Sequence, residues 1–140
     1  MSRLILTATN LCRTYKSGPE EVTAVRGVSL ELQEGDLLAI MGRSGSGKTT
    51  LLNLLGGLDR PTEGNITFQG HDLGALSDPQ LANLRRTKIG FVLQSFTLIP
   101  LFSAWENVEL PLSIQAVPFG ERQQRVSECL KLVGLDSRAR

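Results

Sequence analysis

One stretch of the sequence has the residue types and spacing of a phosphate-binding device. Gly42-Arg43-Ser44-Gly45-Ser46-Gly47-Lys48-Thr49 satisfies G-x-x-x-x-G-K-[ST] at every fixed position. Glycines let the backbone wind tightly, so that successive N–H groups turn inward and make an anion-sized nest. A helix beginning near Lys48 would bring its positive dipole end to the same point. Lys48 adds a compact cation able to reach the β- and γ-phosphates, and the Thr49 hydroxyl is a ligand for Mg²⁺ bridging them. The bland alternative, an idle Gly/Ser loop, is disfavoured by context: an apolar run precedes the motif and a leucine-rich stretch follows it.

Two further side chains are candidates. Gln94 follows the apolar run 89–93, and the strand ends of open parallel sheets face the ligand crevice. An amide there could touch Mg²⁺ or orient the attacking water; a plain surface glutamine is the competing reading. Tyr15, the single tyrosine, could stack on a purine or merely cover the edge of the core. His71 has no partner at metal spacing and reads as a turn residue, and Trp105 reads as a packing anchor on its helix. Arg85, Arg86 and Lys88 read as a solvated helix end, where cations suit the C-terminal dipole.

The elements that must position these groups follow from periodicity. Segments 4–11 and 25–32 alternate in part, with Val28, Leu30 and Leu32 on one face and Ser29, Glu31 and Gln33 on the other. This predicts half-buried antiparallel strands, with a loop over 16–21 and a turn at Glu34-Gly35-Asp36. The continuous run Leu37-Leu38-Ala39-Ile40-Met41 predicts a strand buried on both faces, and 89–93 a second short one. Residues 48–55 predict a buried helix ended by Gly56-Gly57, and 66–69 a short strand. Ser77 with Gln80, and Ser103 with Glu106, have the spacing of capping boxes. The first opens a helix through about Arg86, and the second a helix that Pro111 must kink or end. In 121–133, Val126, Cys129, Leu130 and Val133 share one helical face, which makes Cys129 a small core residue; Gly134 stops the helix.

Composition bounds the rest. In 140 residues there are 15 Lys+Arg and 14 Asp+Glu, a net charge of +1, which excludes strong steering onto nucleic acid or anionic membrane. No apolar run approaches the ~20 residues that span a bilayer, and the N-terminus turns polar too early for a secretory signal. Cys12 and Cys129 read as reduced thiols of a cytosolic protein. No internal repeat or low-complexity segment interrupts a single domain.

The order of these pieces resembles the ATP-binding subunit of an ABC transporter: Tyr15, then the glycine-rich motif with Thr50, then Phe91-Val92-Leu93-Gln94, then Glu106-Asn107-Val108. The texture of 51–64 and of Glu106-Asn107-Val108-Glu109-Leu110-Pro111-Leu112 is similar to the lipoprotein-releasing and macrolide-export branch. The resemblance implies an α/β P-loop NTPase fold of the ABC ATPase type, with an N-terminal antiparallel β subdomain. It implies that Tyr15 stacks on adenine and that Gly42 through Thr50 form the Walker A cradle for ATP. Lys48 would then meet the terminal phosphates, Thr49 would bind Mg²⁺, and Gln94 would be the Q-loop glutamine that senses the γ-phosphate and Mg²⁺. Arg43 occupies a variable position of the motif, where relatives often carry proline or a small residue.

The resemblance further implies a cytoplasmic protein, peripheral at the inner face of the membrane. Its segment from Ser95 to Asn107 would touch an integral-membrane permease, and a second ATPase subunit would close onto it as a homodimer. In this family a Leu-Ser-Gly-Gly-Gln signature, a Walker B strand ending in Asp-Glu and a switch histidine come later, and none lies in these 140 residues. The chain is therefore expected to be the N-terminal portion of a longer nucleotide-binding domain, or a truncated product. Alone it should not hydrolyse ATP, and it should expose apolar faces meant for further strands. Two competing readings are a different P-loop phosphotransferase, such as a small-molecule kinase, and a fragment that binds nucleotide weakly or not at all.

Overall fold

The computed structural model of the protein describes residues 3–139. The chain forms two compact units, Met1–Ile89 and Gly90–Arg140.

The first unit is built on two long strands, β1 (Leu4–Ser17) and β2 (Glu20–Gln33). They pair antiparallel, and β3 (Glu63–Phe68) and β4 (His71–Asp72) extend the sheet in the order β2-β1-β3-β4. The expected loop over 16–21 is much tighter than its composition suggested. Ser17 pairs with Glu20 and Lys16 with Glu21, leaving Gly18-Pro19 as the turn. Gly18 takes φ 61° at the first central position, where a two-residue hairpin compatible with strand twist needs a positive value. Gln69 and Gly70, both at positive φ, make the equivalent turn between β3 and β4, so His71 is the first residue after the turn.

The partial alternation of β1 has a physical cause. Pairing steps from Ala8↔Leu30 to Leu11↔Val28, which leaves one extra residue in β1; Asn10 there adopts φ 49°. The bulge shifts the inward face from even to odd positions: Leu6 and Ala8 are buried before it, Leu11 after it. A compensating extra residue in β2, between Val28 and Val25, brings Gly27 to φ 63°.

Helix α1 (Lys48–Leu55) packs Leu51, Leu54 and Leu55 against this sheet. Leu11, Val25, Ile66 and Phe68 contribute to the same core from the strands, and Leu73 and Leu81 from the segment beyond β4. The helix is less enclosed than expected, since Leu52 stays about half exposed; Leu58, equally exposed, lies beyond its end. Helix α2 (Asp78–Lys88) opens as its capping box predicts, with the Ser77 N–H donating to Gln80 Oε1 at 2.9 Å.

The two apolar runs expected as buried parallel strands are not strands, and apart from Ile40 and Ile89, which pack against the core, they are exposed. Leu37 is 98% exposed and Val92 fully so, and neither 37–41 nor 89–93 joins a ladder. A strand exists through its neighbours' hydrogen bonds, and among the described residues the sheet offers these runs no partner.

The second unit is a helical hairpin of α3 (Ala104–Ile114) and α4 (Phe119–Leu132). Val126, Leu130 and Ala139 form its core, with Trp105, Val108 and Leu112 packed on it. Glu109 accepts from Arg122 Nε at 3.1 Å and Gln123 Nε2 at 3.3 Å, tying the helices together. Pro111 does not end α3, which runs on to Ile114; the Pro111 carbonyl still accepts from the Gln115 N–H. Cys129 is exposed rather than in the core, because the inward stripe of α4 centres on Val126 and Leu130. Gly134, at φ 69°, closes α4 with the Leu135 N–H bonded to the Leu130 carbonyl.

Candidate phosphate-binding site

Residues 42–47 form a loop leading into α1, and its shape follows from its glycines. Gly42, Gly45 and Gly47 take φ values of 159°, 77° and 86°. At Gly47 the requirement is also spatial: a Cβ there would lie 2.0 Å from the Ala24 carbonyl oxygen of β2. The loop thus turns into the helix while pressed against the strand that supports it.

The first backbone bond of α1 runs from the Leu51 N–H to the Gly47 carbonyl at 2.8 Å, and no side chain caps the helix. The N–H groups of Lys48, Thr49 and Thr50 are therefore left over, as at any uncapped helix start. The Lys48 side chain folds back over the loop, donating from Nζ to the carbonyls of Gly42 at 2.9 Å and Arg43 at 2.7 Å. Ser46 N–H bonds the Arg43 carbonyl at 3.2 Å, which closes a turn through Ser44 and Gly45. The arrangement fits a polyphosphate: free amides at a helix N-terminus, and an ammonium held on exchangeable carbonyl bonds at the same place.

A cleft of about 460 Å³ opens beside this loop, lined by Gly45, Ser46, Gly47 and Lys48 on one side and by β2 on the other. Arg26 of β2 is on its wall, a second cation that sequence reasoning missed. Thr49 is exposed at the helix start and Thr50 half-buried. Among the described residues no group of three His, Cys, Asp or Glu side chains could hold a metal. A Mg²⁺ ion here would depend on the Thr49 hydroxyl and on the phosphates themselves.

Tyr15 belongs to the same unit but does not line this cleft. It is the register partner of Val22, which does. Its hydroxyl donates to Asp59 Oδ2 at 2.8 Å, and the Arg13 guanidinium lies 4.6 Å from its ring centroid. Arg13 grips both oxygens of the same carboxylate, Nε to Oδ2 at 2.9 Å and Nη2 to Oδ1 at 2.8 Å. The Arg60 N–H completes the set on Oδ1 at 2.8 Å. Burial pushes the Asp59 carboxyl up, but the bonds from Tyr15 and Arg60 and the Arg13 charge outweigh it and hold it below the usual carboxylate range. Sequence reasoning missed Arg13 and Asp59, which are 46 residues apart and share no local pattern.

Gln94 lies in the second unit, exposed, in a segment without regular structure rather than at the end of a strand. Downstream, Asn107 organises the chain before α3. Its Oδ1 accepts from the Ile99 N–H at 2.8 Å, and its Nδ2 donates to the carbonyls of Ile99, Phe102 and Ser103. An apolar groove of about 470 Å³ lies there, lined by Leu98, Ile99, Phe102, Val108, Leu130 and Leu135 among others.

A glycine-rich loop running into a helix, on an α/β unit with an antiparallel β1–β2 subdomain, defines a P-loop fold of the ATP-binding cassette type. The chain belongs to the ABC transporter family, whose sequence profile matches residues 25–140. It is 48% identical over 132 residues to an uncharacterized ABC transporter ATP-binding protein of Methanocaldococcus jannaschii, covering 92% of this chain and 56% of that protein. It is 46% identical over 136 residues to the lipoprotein-releasing system ATP-binding protein of Pseudomonas fluorescens, covering 97% and 60%. A solved dimeric structure of the M. jannaschii cassette, in a post-hydrolysis state bound to ADP and Pi, superposes with a TM-score of 0.87 at 46% identity. That match covers 96% of this chain and 60% of the other. The chain thus spans a little under two thirds of the length of these relatives. No helix among its described residues is long and apolar enough to cross a membrane.

Proposed function

We propose that these 140 residues are the N-terminal portion of one ABC nucleotide-binding domain, whose full-length protein binds and hydrolyses MgATP to energise a membrane permease. The observation that carries this reading is the loop–helix junction itself, with its left-over amides at Lys48, Thr49 and Thr50 and the Lys48 ammonium drawn back over the loop.

In this reading the amides of 42–50 bind and orient the phosphates. Lys48 exchanges its two carbonyl partners for phosphate oxygens, moving from a neutral to a charge-assisted set of bonds. Thr49 offers its hydroxyl to Mg²⁺, which when bound neutralises charge on the phosphates. Tyr15 supports the base, and Gln94 senses the γ-phosphate and its metal. Hydrolysis needs further groups to position water and complete charge stabilisation, so the 140 residues alone should show no turnover.

Two partners follow. A second copy of the ATPase subunit is supported by the dimeric state of the M. jannaschii cassette. A permease contact through the segment from Ser95 to Asn107 is supported by its exposed Phe96, Leu98 and Leu101, beside the apolar groove. The similarity to a lipoprotein-releasing ATP-binding protein supports the release or export branch as the setting. Such a protein works from the cytoplasmic face of the membrane.

The test is ATP hydrolysis by the full-length protein. Lys48→Ala should abolish it, and Gln94→Ala should slow it while nucleotide still binds. An unchanged rate in Lys48→Ala would refute the role given to the loop.

A further inference from the structure

The Arg13–Asp59–Tyr15 cluster is more elaborate than a residue covering the core would need. The geometry points to a clamp: Asp59 and Arg13 are positioning residues that hold the Tyr15 ring ready for a purine base. The inference rests on the reading of Tyr15 as the base-stacking residue and deepens it.

Three observations carry it. The first is restraint of the ring. A tyrosine has two side-chain torsions, and the bond from its hydroxyl to Asp59 Oδ2 at 2.8 Å fixes the far end. Asp59 is itself immobilised by both arms of Arg13 and by the Arg60 N–H, so the acceptor does not wander. A ring ordered beforehand loses less entropy when a base settles on it.

The second is the use of the two ring faces. The Arg13 guanidinium sits 4.6 Å from the centroid and occupies one face. Tyr15 is nonetheless 39% exposed. A planar ligand on the side away from Arg13 would complete a stack of guanidinium, phenol and base.

The third is placement. The bulge at Asn10 puts Leu11 on the inward face of β1, and Arg13 and Tyr15 follow at alternate positions, both reaching Asp59. Tyr15 is paired across the ladder with Val22, which walls the phosphate cleft. Directly opposed residues in such a ladder have Cα atoms about 5 Å apart. The Tyr15 backbone is thus one strand from the cleft wall, within the same unit as the phosphate loop.

The experiment compares equilibrium binding of two probes, MgATP and inorganic tripolyphosphate with Mg²⁺, to the full-length protein by calorimetry. The variants are Tyr15→Ala, Tyr15→Phe, Asp59→Ala and the double variant Tyr15→Phe/Asp59→Ala. Tyr15→Ala should weaken ATP about tenfold, the scale of one lost base–aromatic stack, and leave tripolyphosphate unchanged. Tyr15→Phe and Asp59→Ala should each weaken ATP several-fold with the same selectivity, and the double variant should be no worse than either, since all three break one bond. Equal losses for both probes would mean that Asp59 merely supports the fold, and would overturn the inference. Loss in Tyr15→Ala with none in Tyr15→Phe and Asp59→Ala would overturn the clamp and leave the base-stacking reading standing. No loss in Tyr15→Ala would overturn both.

Discussion

Gly45 and Gly47 share a left-handed backbone but not a neighbourhood. Nothing lies within 4 Å of where a Gly45 Cβ would be, whereas a Gly47 Cβ would press into the Ala24 carbonyl. Gly45→Ala should therefore cost only the strain of a left-handed residue, about 1–2 kcal/mol. Gly47→Ala must also push the loop off β2, and should weaken MgATP binding by more than Gly45→Ala does; equal effects in calorimetry would contradict the geometry. Asp59 makes a different prediction. Its carboxyl titrates below its unfolded value, so it contributes stability above that value and loses it as pH falls toward the folded one. The gap in melting temperature between the wild type and Asp59→Asn should be constant near neutrality and shrink below about pH 4, the ordinary carboxylate range. A gap that persists in acid would show that Asp59 acts through shape rather than charge.

At the scale of elements, the chain before α3 is held by one side chain. Asn107 makes four hydrogen bonds to the backbone of Ile99, Phe102 and Ser103, while Ser103 and Glu106 close the helix start reciprocally. The Ser103 N–H and hydroxyl both donate to the Glu106 carboxylate and hold it below its usual range. Under the proposed permease contact, Asn107→Ala should loosen 99–103, leave nucleotide binding intact and reduce stimulation of ATP hydrolysis by that partner in the assembled complex. Full stimulation in that variant would separate this loop from the partner surface. The same region shows what a sequence makes legible. Both capping boxes, the β1–β2 alternation and the limits of α1 follow from short-range rules about orphan N–H groups and side-chain periodicity, and they stand. The strands expected at 37–41 and 89–93 depend on distant partners, and an apolar run cannot specify whether a neighbour is there to pair with it. Cys129 failed by one position on a helical face, since the pattern defined the stripe but not its centre. In the candidate site, the glycine-rich loop is contiguous and so legible, whereas the Asp59 grip on Tyr15 is made between residues 44 apart.

At the scale of the molecule, the exposed apolar runs and the site make a consistent picture. Leu37 and Met41 immediately precede the phosphate loop, and both lie almost wholly in solvent. They read as strand residues, and the relatives are longer than this chain by about two thirds of its length. In the proposed full-length domain, further sheet would cover them and stiffen the base of the loop. The proposed phosphate binding nevertheless rests on a local device of the first unit: amides at a helix start and one ammonium on exchangeable bonds. Calorimetric titration of MgATP into the full-length protein and its Lys48→Ala variant tests that device most directly. The account predicts saturable binding by the wild type and a loss of at least tenfold in the variant, the scale of one charge-assisted phosphate contact. Equal affinity in the two, or no binding to either at saturating nucleotide, would contradict it.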